Sequence, residues 1–123
     1  MTVYADSSAL LKLYLDETDS ETARELLRTD PSWASACFTV VEVRRNLARL
    51  LEGVELDNAR ESFREDWAEV ASLAIDDATA DRAAVLAERT GVKSLDALHL
   101  EAAERAGAGE GSIDLVTFDV RLA

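Results

Sequence analysis

Val3-Tyr4-Ala5-Asp6-Ser7-Ser8-Ala9-Leu10 is the stretch on which the fold turns. Three apolar residues end at an acid, two hydroxyl residues follow, and a helix-type apolar pattern starts at once. An apolar run this short reads as a buried strand. Ser7 or Ser8 can cap a helix through Ala9-Leu10-Leu11-Lys12-Leu13-Tyr14-Leu15. A strand that feeds a helix with no hairpin signal is the unit of a layered α/β fold with a mainly parallel sheet.

The rest of the chain repeats that rhythm. Thr18 and Glu21 have capping-box spacing and open a helix to about Arg28, which Asp30-Pro31 breaks. Ser32 to Ala36 reads as the second strand. Thr39-Val40-Val41-Glu42 opens the next helix, with Val43, Leu47, Leu50 and Leu51 on one face and Gly53 as its stop. A helix from about Leu56 to Ser72 carries Phe63, Trp67 and Val70 at helical spacing, and Leu73-Ala74-Ile75 is a brief third strand. Asp77 or Thr79 caps a helix to Thr90, ended by Gly91. Ser94 caps another from Leu95 to Ala106, ended by Gly107. After the loop Gly107 to Gly111, Ile113-Asp114-Leu115-Val116-Thr117 is the final strand. The expected architecture is one α/β domain over residues 1–123, a central, mainly parallel four-stranded sheet flanked by helices. There is no internal repeat, linker or low-complexity tract.

Composition narrows the class. A chain of 123 residues can bury a real core, and 48% hydrophobic with 31% charged residues is a globular profile rather than a disordered one. Cys37 is the only cysteine, so an internal disulfide and a Cys/His zinc site are both excluded. Within Ala34-Ser35-Ala36-Cys37-Phe38 it reads as a small buried hydrophobe. No secretory signal and no membrane span is legible, which makes the cytoplasm the expected compartment. The net charge of −12 argues against nucleic-acid binding through bulk positive charge. It leaves room for a nuclease whose bound metal ions neutralise the site.

In parallel sheets, ligands bind at the carboxyl ends of the strands. Asp6 leaves the first strand and Asp119 the last. Glu42 lies one turn into the helix after the second strand, and Asp96 in the first turn of the helix capped by Ser94. Four acids far apart in sequence can therefore meet at one edge. Gathered carboxylates repel and raise one another's pKa unless a cation stands among them. Oxygen-only ligands favour Mg²⁺ or Mn²⁺, and such ions can clamp a phosphodiester and activate water. Each acid also has a structural reading. Asp6 can cap the following helix, Glu42 completes a Thr39-x-x-Glu capping box, Asp96 suits a helix N-terminus, and Asp119 can be a surface acid. Ser7 and Thr117 could orient a carboxylate or a water. His99, the lone histidine, is either a proton shuttle or a packed, hydrogen-bonded ring. Trp33, Phe38, Phe63 and Trp67 read as core or interface. Arg44, Arg45 and Arg49 either contact phosphates or form ion pairs in a very acidic chain.

The residues that carry these signals also resemble a known family. Asp6-Ser7-Ser8-Ala9-Leu10, Thr39-Val40-Val41-Glu42-Val43-Arg44, Ser94-Leu95-Asp96-Ala97-Leu98-His99-Leu100 and Leu115-Val116-Thr117-Phe118-Asp119 are similar, in order and spacing, to PIN-domain ribonucleases of the VapC toxin type. The resemblance implies a parallel sheet flanked by helices and a Mg²⁺- or Mn²⁺-dependent endoribonuclease, the toxin of a toxin–antitoxin pair. It places Asp6, Glu42, Asp96 and Asp119 at the family's acidic positions. Asp6, Asp96 and Asp119 would be metal ligands, and Glu42 would act through a water. Ser7 and Thr117 would be accessory hydroxyls, with Arg44 and Arg45 as possible RNA contacts. An RNA substrate, a small antitoxin and a homodimer are the implied partners. Members usually continue through a further helix and strand where this sequence stops at Ala123, so the usual last strand is expected to be missing. The competing expectation is a catalytically weak or inactive PIN-like module that binds RNA or a partner. A flap-cutting DNA nuclease ranks lower, because the insertions that thread DNA are absent.

Overall fold

β1 (Thr2–Ala5) lies inside the sheet rather than at its edge, with β2 (Trp33–Ala36) on one side and β4 (Ile113–Val116) on the other. The computed structural model describes residues 2–16, 20–28, 33–108 and 113–116. Thr18, Asp30, Pro31, Thr117 and Asp119, on which sequence expectations were placed, lie outside them, as do Val120 to Ala123. The connections hold α1 (Ser7–Leu11) and α2 (Ser20–Arg28), then α3 (Thr39–Leu50) and α4 (Gly53–Trp67). After β3 (Ala71–Leu73) come α5 (Asp77–Thr90) and α6 (Ser94–Ala108). Strand order is β3-β2-β1-β4, and every pairing is parallel. The expected four-stranded parallel sheet is therefore present.

This order decides where a ligand can sit. From β1 the chain steps outward to β2 and β3, then returns to the opposite side of β1 with β4, where Ala5 pairs with Val116. Winding direction reverses between β1 and β4. At such a switch point, consecutive connections leave on opposite faces and a crevice opens at the carboxyl ends of the strands. Asp6 is the first residue beyond β1 there.

Strand alternation builds two core layers. Val3 and Ala5 face Ala9, Leu10, Val43, Leu47, Ala59 and Phe63, the layer under α1, α3 and α4. Tyr4 faces the other way, with Ala34, Ala36, Ala102 and Ala103, the layer under α6. Four of those five buried residues are alanines, so α6 can approach the sheet closely and its larger side chains reach across it. None of the described helices is long and apolar enough to cross a membrane.

Several expectations need correction. Gly53 opens α4 with φ 59° instead of stopping α3, whose last turn closes at an extended Leu51. The fourth helix ends at Trp67, not Ser72. Ala71-Ser72-Leu73 pair with Ala34-Ser35-Ala36, so ladder bonds to β2 capture Ala71 and Ser72, which the apolar spacing had assigned to the helix, and the strand ends at Leu73 instead of Ile75. The helix after β3 is capped by Asp76, whose carboxylate accepts the Thr79 N–H at 2.8 Å, rather than by Asp77 or Thr79. The α6 helix runs on past Gly107 to Ala108. Cys37 is exposed rather than buried, because β2 stops at Ala36 and the turn into α3 swings the thiol outward. Its N–H is held by the Leu73 carbonyl at 2.8 Å.

Candidate active site

Asp6 is only 2% exposed, which is unusual for an acid and calls for partners. Its Oδ1 accepts the Ala9 N–H at 3.0 Å and the Ser8 hydroxyl at 2.7 Å. The carboxylate thus caps α1 while standing at the carboxyl end of β1, so the structural reading holds without displacing the functional one. Of the two serines, Ser8 is the one whose hydroxyl meets Asp6, and Ser7 is the half-buried first residue of α1.

Glu42 makes no capping box. The N-cap position of α3 is Phe38, with no side-chain cap bond. Ser35 has bound Thr39 instead. Ser35 Oγ lies 2.6 Å from the Ala5 carbonyl and 2.9 Å from Thr39 Oγ1. A hydroxyl has one proton and the carbonyl can only accept, so Ser35 donates to Ala5 and Thr39 donates to Ser35. Glu42 is left to turn toward α6, where its Oε1 lies 2.7 Å from Nε2 of His99. Glu42 keeps 21% side-chain exposure, whereas His99 is 2% exposed.

His99 is therefore packed and hydrogen-bonded. Its Nδ1 lies 2.8 Å from the Tyr4 hydroxyl, and the Phe38 ring sits 4.6 Å from the imidazole. Tyr4 is completely buried, and burial pushes its phenol well above the ordinary value. The charges of Asp6 and Glu42 push it further in the same direction. Two carboxylates from two elements thus act on the same phenol oxygen. Asp96 is half-buried in the first turn of α6, three residues before His99 and so on the same helix face. The positive helix end favours an acid there.

Among the described residues, no three His, Cys, Asp or Glu side chains stand close enough together to hold a metal ion. The fourth acid, Asp119, lies outside the described residues, as does Thr117. The donors at this edge are carboxylate oxygens, the ligand chemistry of a hard divalent cation. Glu42 has a second carboxylate oxygen besides the Oε1 that meets His99.

The arginines of α3 divide. Helical geometry places Arg45 and Arg49 along the stripe of Glu42 and Arg44 nearly opposite. Arg44 lines a cleft of about 300 Å³ between α3 and α4, with Val40, Phe63 and Trp67. A larger cleft of about 680 Å³ lies beside α4, walled by Tyr14, Asp16, Glu55 and Asp66, and contains none of the candidate acids.

Three residues were undervalued by sequence reasoning: Tyr4, Ser8 and His99. The signal was present for two of them. Tyr4 shares a strand face with the side on which the sheet meets Asp6, and His99 is one helical turn from Asp96.

The chain belongs to the PIN-domain family, whose model matches residues 3–123. Within it, the chain is 35% identical to Ribonuclease VapC46 of Mycobacterium tuberculosis, covering 98% of this chain and 86% of that one. Its fold is similar to that of Mycobacterium tuberculosis VapC20, described as a sarcin-ricin loop cleaving toxin, with a TM-score of 0.76 at 16% identity over 98% and 92% of the two chains. A chain of a toxin–antitoxin complex from Klebsiella pneumoniae gives a TM-score of 0.73 at 18% identity over 97% and 88%. At those identities the solved structures establish the fold.

Proposed function

We propose that this protein is a divalent-metal-dependent endoribonuclease that hydrolyses RNA phosphodiester bonds as the toxin of a type II toxin–antitoxin pair. The observation that carries the reading is the buried Asp6 at the β1–β4 switch point, with Glu42 of α3 tied through His99 to Tyr4, two residues before it on β1. The VapC ribonuclease relatives supply the substrate class. Bound Mg²⁺ or Mn²⁺ would polarise the scissile phosphate and lower the pKa of an attacking water. Asp6 and Asp96 would hold that ion directly, Asp119 would hold a second, and Glu42 would orient a water through the carboxylate oxygen that His99 does not engage. Ser7 and Thr117 are accessory hydroxyls. Arg45, on the Glu42 stripe, reaches RNA phosphate more readily than Arg44, which faces the α3–α4 cleft. The protein works in the cytoplasm as a homodimer restrained by a small antitoxin.

The test is cleavage of total RNA by purified protein with Mn²⁺ or Mg²⁺, beside Asp6→Asn. Divalent-dependent cleavage that Asp6→Asn abolishes is the expected result. RNA binding without cleavage at any metal concentration would instead identify a binding module.

A further inference from the structure

The layer under α6 is built of alanines, yet it holds one continuous polar chain from three separate elements. Tyr4 comes from β1, His99 from α6 and Glu42 from α3. Proton accounting fixes its direction. An ionised carboxylate only accepts, so the proton between Glu42 and His99 sits on Nε2. In the neutral ring Nδ1 then carries no proton and can only accept, so the Tyr4 hydroxyl, 2.8 Å away, donates to it. The chain therefore runs from Tyr4 O–H to His99, and from His99 N–H to Glu42. No buried polar side-chain atom among the described residues lacks a partner.

A core does not need this arrangement. Phe and Leu at the two positions would fill the same space without desolvating a hydroxyl and an imidazole, and such replacements are commonly neutral or stabilising. The polar chain ends at a carboxylate that keeps 21% exposure beside the candidate acids, so its product is the orientation of that carboxylate.

We infer that Tyr4 and His99 are positioning residues that lock the Glu42 carboxylate by engaging Oε1, presenting its second oxygen to the reaction. The inference rests on the ribonuclease reading for its chemistry and on the hydrogen-bond chain alone for its geometry. Because His99 is the only histidine, its ring nitrogens give a single set of signals in ¹⁵N NMR of the metal-free protein. The expected state is the neutral Nε2–H tautomer, shifting toward a mixture in Tyr4→Phe. Partners of this kind typically influence metal affinity or activity by about 10–100-fold. Tyr4→Phe and His99→Leu are therefore expected to lower kcat or Mn²⁺ affinity by that factor, with KM for RNA unchanged. His99→Gln, which keeps a donor for Glu42, recovers most of the loss. The double variant Tyr4→Phe/His99→Leu guards against a fold defect, since it removes both polar groups together. An Nδ1–H tautomer in the wild type would overturn the inference, as would unchanged kcat and Mn²⁺ affinity in the variants. Tautomer and Mn²⁺ affinity do not depend on RNA cleavage, so an inactive wild type overturns the ribonuclease reading only.

Discussion

Replacing Asp6 by Asn and by Ala separates the two roles of this carboxylate. Asn keeps an Oδ1 acceptor for the Ala9 N–H and the Ser8 hydroxyl, and Asn and Asp are near-equal N-caps. In EDTA, Asp6→Asn should lie within about 0.5 kcal/mol of wild type, because the cap acceptor is retained. Asp6→Ala deletes both bonds. A lost N-cap costs about 1 kcal/mol and the second bond about as much again at most, so the loss is roughly 1–2 kcal/mol. For a chain of this size that lowers Tm by roughly 4–10 °C. Metal separates wild type from Asp6→Asn. At Mn²⁺ near 100 times Kd the wild type gains about 2.7 kcal/mol, whereas both variants should gain little. Thermal unfolding followed by circular dichroism, with and without Mn²⁺, reads these values, and RNA cleavage is assayed on the same samples. If Asp6→Asn melts with Asp6→Ala in EDTA, the capping argument is wrong. If it keeps the Mn²⁺ shift and cleaves normally, the metal assignment is wrong.

Ser35→Ala should cost about 1–3 kcal/mol in urea unfolding, because it strands the buried Thr39 hydroxyl and removes the donor to Ala5; a cost below about 0.5 kcal/mol would refute that network. Alkaline pH should destabilise the protein through its two tyrosines. Burial raises both Tyr4 and Tyr14 above the ordinary value, and the Asp66 carboxylate that accepts the Tyr14 hydroxyl at 2.7 Å raises Tyr14 further. Above about pH 10 the unfolded chain releases these protons and the folded one retains them, so stability present below that pH falls by roughly 1.4 kcal/mol per pH unit for each tyrosine. Urea midpoints between pH 9 and 11 should show the decline, with Tyr14→Phe reducing its slope; a flat profile contradicts it. Arg45→Ala should weaken RNA binding and lower the salt slope by about one, while Arg44→Ala leaves the slope unchanged. Equal effects would mean that the two faces of α3 do not divide as described.

The sequence by itself determined the alternation of short apolar strands with helices, and with it a parallel sheet. Parallel strands require crossovers, and the crossovers carry their own caps and stops, so both signals are local. The first strand, the start of α3 and the Gly91 stop were legible for that reason. Boundaries that depend on a neighbour were not. Ala71-Ser72-Leu73 is a strand only because β2 offers ladder bonds, and Cys37 is exposed only because β2 stops one residue before it.

The same division holds at the candidate site. Asp6 and Asp96 could be placed from sequence because each sits at the end of its own element. Glu42 could not. Its sequence neighbours spell a capping box, but Ser35 binds Thr39, and the carboxylate turns to a histidine fifty-seven positions away. Strand order, which puts β1 between β2 and β4, and the alanine-lined approach of α6 are non-local facts. Helix and strand patterning specify what each segment buries. Only close packing decides which buried polar group another can reach, and here it joined Tyr4, His99 and Glu42.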